Sequence, residues 1–247
     1  MNKFTRRTVI AAACAAAAMT FGPMSFAQQA PEKKDVTIAV GGKSLYYYLP
    51  LSIAEQLGYF KDEGLNVKIV DFQGGSRSLQ AVVGGSADVV SGAFEHTISM
   101  QAKKQPMTAF VLQGRAPQLA LVVSNKTMKD YKQLSDLKGK KVGVTAPGSS
   151  SQMVANFILK KGGLGPKDVA FIGVGSSSGA VSAIRSGQID ALINLDPVIT
   201  ILLKNGDAKL VAVKLKNPKA SSAARCLPAA STHRFLSSKR IPRLFRL

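Results

Sequence analysis

Residues 141–163 read KVGVTAPGSSSQMVANFILKKGG. Lys141–Val144 is short, β-branched and apolar, so it reads as a strand. A loop of small and hydroxyl residues follows, Thr145–Ser151, and leads into apolar positions at helical spacing over Ser149–Lys161. Gly162-Gly163 then stops the helix. The same strand–loop–helix phrase recurs on both sides. Downstream, Val169–Gly173, Ala191–Leu195 and Lys209–Val213 read as strands, with helices at Gly179–Ser186 and Pro197–Lys204. Upstream, strands are expected at Asp35–Val40, Val67–Phe72, Asp88–Ser91, Met107–Leu112 and Leu119–Ser124. Between them lie helices at Pro50–Leu57, with Pro50 near its first turn, from Ser76 as N-cap to Gly84-Gly85, and over Ala93–Lys103. Such alternation implies an α/β protein whose sheets are mostly parallel and flanked by helices. Two runs of it, joined by a crossover at Leu112–Leu119, imply two lobes, over residues 35–115 and 116–213.

The ends of the chain read differently. Lys3, Arg6 and Arg7 precede an apolar run, Val9–Met19, and Ser25-Phe26-Ala27 places small residues where a signal peptidase reads them. Residues 1–27 are therefore expected to be an export signal, by a general or a twin-arginine route, with residues 28–34 a linker. That address is periplasmic. Cys14 leaves with the signal, and Cys226 alone permits no internal disulfide. Residues 214–247 carry nine Lys or Arg and no Asp or Glu. They read as an irregular, poorly ordered basic tail.

Charge argues against a nucleic-acid partner. The net charge is +19, but residues 28–213 hold 21 Lys or Arg against 14 Asp or Glu, and the rest of the excess lies in the two ends. There is no Trp, and aromatic residues are few, which leaves little surface for stacking bases. A basic body suits a small anionic ligand.

In open parallel sheets, ligands lie beyond the carboxyl ends of the strands. The loops there are Gly41–Ser44, Gln73–Ser76, Gly92–Glu95, Thr145–Ser151, Gly175–Gly179 and Asn194–Pro197. Several run into helices, whose free N–H groups and dipole favour a sulfonate, phosphate or carboxylate. The candidate ligand-binding residues are Lys43, Ser44, Tyr47, Gly75, Ser76, Phe94, Glu95, Thr145, Ser149, Ser150, Gly175, Asn194 and Asp196. Each has a plainer reading. Ser at a helix start is commonly just a cap, and the plainer reading of Lys43 and Arg77 is as solvated side chains. Of Tyr46, Tyr47 and Tyr48, one ring is expected to line a pocket and two to pack. Glu95 and Asp196 are structural or hold a ligand amine. Gly41-Gly42-Lys43-Ser44 lacks the upstream Gly of a phosphate-binding loop. His96 and His233 are the only histidines, and no G-x-S-x-G turn exists, so hydrolase chemistry has no carrier. His96 reads as a structural residue. Metal-ligand spacings of Cys and His are absent. No catalytic residue, metal or cofactor is expected.

Residues 46–65, YYYLPLSIAEQLGYFKDEGL, resemble the substrate-binding proteins of nitrate, sulfonate and taurine ABC importers, a family that includes thiamine-precursor binders. FQGGS at 72–76, GGSADV at 84–89, KGKKVGV at 138–144 and IRSGQIDA at 184–191 resemble it too. The resemblance implies a type II periplasmic binding fold, whose two lobes close on a solute. It implies a monomeric, non-enzymatic receptor that hands a small organic anion to a membrane permease. Some same-fold proteins are synthases of a thiamine precursor, so a pyrimidine ligand or an enzyme is the alternative. CLPAA at 226–230 still resembles the family, and from Ser231 the likeness stops. A frameshift and a natural basic tail both account for this. On either account the first lobe is expected to be incomplete, marginally stable and weak in binding.

Overall fold

The computed structural model describes residues 31–114 and 118–213, and the backbone of 233–237. The export-signal reading and most of the basic tail lie outside the described residues.

The strands fall into two five-stranded sheets. The first has the order β2-β1-β3-β10-β4, from β1 (Asp35–Val40), β2 (Asn66–Asp71), β3 (Val89–Ala93), β4 (Thr108–Gly114) and β10 (His233–Ser237). The second has the order β7-β6-β8-β5-β9, from β5 (Ala120–Ser124), β6 (Lys141–Val144), β7 (Ala170–Gly173), β8 (Ala191–Asn194) and β9 (Ala208–Val213). In each, three strands run parallel, and a fourth lies antiparallel between the third and the last. The helices are α1 (Leu49–Gln56), α2 (Tyr59–Asp62), α3 (Gly75–Val83), α4 (Glu95–Ala102), α5 (Ser150–Lys161), α6 (Ser178–Ser186) and α7 (Val198–Lys204). None of the helices among the described residues is long and apolar enough to cross a membrane.

The alternation expected from the sequence is present, with boundaries shifted by a residue or two. Three short elements escaped it: α2 and the 3₁₀ turns at Tyr46–Tyr48 and Leu134–Leu137. Each is only three or four residues, too short to show a period. The larger difference is β10. Residues 233–237, read as part of an irregular tail, pair with both β3 and β4.

Burial follows the pattern of apolar residues. β3, β5 and β8, inner strands of their sheets with both faces covered, are buried along their whole length. One buried cluster spans both sheets and includes Val36, Val40, Tyr47, Tyr48, Leu119, Leu121, Val154 and Ile193. A second cluster sits under α6 and α7, and a third under α3. The ends of β1, β3, β6 and β8, with the helices that follow, therefore face one shared space.

Candidate functional site

That space is a cavity of about 80 Å³. The first lobe supplies Gly41, Leu45, Tyr47, Tyr48, Gly75, Gly92, Ala93 and Glu95 to its wall. The second supplies Gln118, Leu119, Thr145, Ser149, Ser150, Ser151, Met153, Val154 and Leu195. No Lys or Arg lines it among the described residues.

The polar end is built at the start of α5. Thr145 Oγ1, Ser149 Oγ and Ser151 Oγ form a triangle with sides of 2.8, 2.9 and 2.9 Å. Ser149 Oγ also donates to the Ala146 carbonyl at 2.6 Å. Its one proton is then committed, which leaves two hydroxyl protons for three edges of the triangle. The Thr145 N–H donates to Ser151 Oγ at 3.0 Å, so the loop and the helix start are locked together. The helical ladder begins with the N–H groups of Gln152 and Met153, which both donate to the Ser149 carbonyl at 3.0 and 3.2 Å. The N–H groups of Ser150 and Ser151 precede it, at the positive end of a twelve-residue helix. This arrangement suits an oxyanion.

The apolar end is aromatic. Tyr47 and Tyr48 meet edge to face, with ring centroids 4.6 Å apart. Both line the cavity, whereas Tyr46 is exposed. Two rings thus form the wall where one was expected, because a 3₁₀ turn over Tyr46–Tyr48 buries consecutive side chains. Burial pushes the Tyr48 hydroxyl far above its ordinary range, so it stays protonated. It accepts from the Gly41 N–H at 3.1 Å and donates to the Ser91 carbonyl at 3.3 Å. Gln113 braces the same wall. Its Nε2 donates to the Tyr47 carbonyl, and its Oε1 accepts from Ser91 Oγ, both at 2.8 Å.

Of the expected residues, Tyr47, Gly75, Glu95, Thr145, Ser149 and Ser150 lie in the wall. The others lie elsewhere. Lys43 Nζ pairs with Glu55 Oε2 at 2.6 Å, and Ser44 is exposed. Ser76 does not cap α3. Gly74 holds the N-cap position, and Ser76 Oγ donates to the Pro147 carbonyl at 2.8 Å. Phe94 is half-buried at the start of α4. Asn194 Nδ2 donates to the Gly175 carbonyl at 3.1 Å, and its Oδ1 accepts from the Leu195 N–H at 2.9 Å. Asp196 Oδ1 accepts from the N–H and hydroxyl of Thr200, at 3.0 and 2.8 Å, so it caps the first turn of α7. Arg77 is exposed.

Sequence reasoning missed Tyr48, Met153, Val154, Leu119 and Leu195, since an apolar residue signals burial but not which face of the core it joins. It also missed Asp71, whose Oδ1 accepts from the N–H groups of Gly42 and Lys43 at 2.7 and 2.8 Å and so holds that loop in place. His96 lies directly behind the wall. It is 4% exposed, and its Nε2 has no hydrogen-bond partner among the described residues. Burial lowers its pKa to about 4, so the ring is neutral at pH 7. Among the described residues, no group of three or more His, Cys, Asp or Glu is placed to hold a metal ion.

Known proteins share this build. The profile of the family described as NMT1/THI5 like matches residues 46–224. A solved structure from Bordetella bronchiseptica RB50 is 53% identical, with a TM-score of 0.77, over 88% of this chain and 66% of that one. The alkanesulfonate-binding protein SsuA from Xanthomonas axonopodis pv. citri, solved bound to MOPS, has a TM-score of 0.65 at 24% identity, covering 85% of this chain and 67% of that one. The 4-amino-5-hydroxymethyl-2-methylpyrimidine phosphate synthase of Schizosaccharomyces pombe is 27% identical over 65% of this chain and 45% of its own length. The chain thus spans about half the length of the curated relatives it matches. The architecture is the periplasmic binding protein fold.

Proposed function

This chain belongs to the NMT1/THI5-like family, and from that premise we propose that it is a solute receptor of an ABC importer. It acts outside the cytoplasm, as a monomer without catalysis. It closes two lobes on a small organic anion and presents it to a permease. The observation that carries this reading is the hydroxyl triangle at the N-terminus of α5, set in one wall of a cavity whose other wall is aromatic. An anionic head would meet N–H and hydroxyl donors, and an alkyl body would meet Tyr47, Leu119 and Leu195. The apolar side chains of the wall favour an organic solute over nitrate. Nothing apolar in nitrate would gain from that wall.

The test is isothermal titration with butanesulfonate, taurine, nitrate and 4-amino-5-hydroxymethyl-2-methylpyrimidine. Butanesulfonate is expected to bind, and Thr145→Val to weaken it by about tenfold or more, the usual worth of a hydrogen bond to a charged group. Tight binding of the pyrimidine alone would favour the second reading, a thiamine-precursor binder or synthase-like enzyme. The edge-to-face pair Tyr47 and Tyr48 and the relative's name support that alternative.

A further inference from the structure

Four of the loops expected to touch solute also touch each other in pairs across the two lobes, Gly41–Ser44 against Gly175–Gly179 and Gln73–Ser76 against Thr145–Ser151. A Cβ added at Gly42 would lie 2.1 Å from Ser176 Oγ, and one added at Gly74 would lie 2.8 Å from Ala146 Cβ. No side chain fits at either distance. Both glycines also hold positive φ, 119° and 108°, so the chain there is shaped for the approach as well as stripped for it. Beside them, Ser76 Oγ donates to the Pro147 carbonyl at 2.8 Å, and the Tyr46 N–H donates to the Asp196 carbonyl at 3.2 Å. Gly42, Gly74 and Ser76 do not line the cavity, and neither do Ala146, Pro147 and Ser176. They form a seam around it.

We propose that Gly42, Gly74 and Ser76 are positioning residues that set how closely the two lobes meet, so that solute affinity depends on this seam as well as on groups touching solute. The hydroxyl triangle stands on the second lobe, and Tyr47 and Tyr48 on the first. A solute needs both at once. The seam fixes the distance between them, and the observed affinity scales with the fraction of molecules in which the seam is made. The affinity part of this inference rests on the receptor reading above; the closure part does not.

Substituting Gly42 or Gly74 would confound crowding with backbone strain, so the crowding belongs on the facing lobe. Ala146→Leu adds bulk opposite Gly74, and Ser76→Ala removes one hydrogen bond of the seam. Inter-lobe distance is read by pulsed electron resonance between spin labels at Lys61→Cys and Lys209→Cys, with Cys14 and Cys226 changed to Ser. Butanesulfonate affinity is read by titration. Ala146→Leu is expected to lengthen the mean distance and weaken binding more than tenfold with secondary structure intact. Ser76→Ala is expected to broaden the distance distribution and weaken binding roughly fivefold, the net worth of one hydrogen bond. Unchanged distances in a folded Ala146→Leu protein overturn the proposal. If that variant does not fold, an unchanged distribution in Ser76→Ala overturns it instead. If the parent binds no butanesulfonate, the distances alone decide the seam, and the failure counts against the receptor reading.

Discussion

The two sheets share one plan and differ in where the fourth strand comes from. In the second sheet that strand is β5, Ala120–Ser124, which precedes its sheet in the chain and is buried at all five positions. In the first it is β10, His233–Ser237, which arrives from the far end of the chain. β10 meets β4 with two register shifts, whereas β5 meets β9 with one. The edge strands differ as well. In β4, Val111 and Leu112 are 38% and 47% exposed. Among the described residues β4 pairs with β10 and no other strand. One lobe thus takes its antiparallel strand from adjacent sequence, and the other depends on a remote segment of unpromising composition. Loop closure makes the second arrangement the more fragile, because the remote contact must offset the larger ordering cost.

Removing everything after Val213 should break the comparison open. β4 then has no partner, and β3 becomes an edge. The first lobe is expected to lose protection by about 5 kcal/mol, on the order of a small domain's whole stability. Hydrogen exchange should show β1–β4 amides exchanging freely while β5–β8 stay protected. Equal protection in both sheets would mean that β10 does not hold the first lobe together.

Leu192 in β8 is fully buried. Leu192→Ala is expected to cost about 4 kcal/mol by leaving a cavity, and to lower the melting of the second lobe. A single shared transition that shifts as one would show that the lobes melt together.

Acid should separate the lobes by a smaller margin. His96 belongs to the first lobe, and no His lies among the described residues of the second. Its folded pKa is lowered to about 4 from 6.5, so the unfolded chain takes up the proton first as pH falls. Stability is fully present above pH 6.5 and is lost between there and about 4. The loss is about 3 kcal/mol at 1.36 kcal/mol per unit. His96→Gln should flatten this dependence in urea melts at pH 7 and pH 4.5. An equally steep fall in that variant would assign the acid sensitivity to other groups.

The smallest effect belongs to the exposed edge. Leu112→Thr is expected to change stability by no more than about 0.5 kcal/mol, as surface substitutions do. A larger loss in chemical denaturation would mean that a further segment covers β4.

Much of this was legible in residue order. Lys141–Val144 appears as a strand with the expected ends, and the neighbouring elements moved by a residue or two, because period and glycine stops are local signals. The hydroxyl loop Thr145–Ser151 was legible for the same reason, since it sits where a strand hands over to a helix. What a hydroxyl does there was not. Ser76, read as a cap, reaches across to Pro147, and Asp196, read as an amine ligand or a structural residue, caps α7. A side chain with several donors and acceptors takes whichever partner folding brings near.

The sequence by itself determined the alternation of strands and helices, the division into two runs, and the family, because each rests on patterns within some twenty residues. Tertiary structure alone decided that β10 joins the first sheet between β3 and β4, that Tyr47 and Tyr48 share one wall, and that Gly42 and Gly74 meet the opposite lobe. Those contacts join residues tens to more than a hundred positions apart or depend on a turn's exact pitch. No local pattern encodes them, since they follow from how whole layers pack.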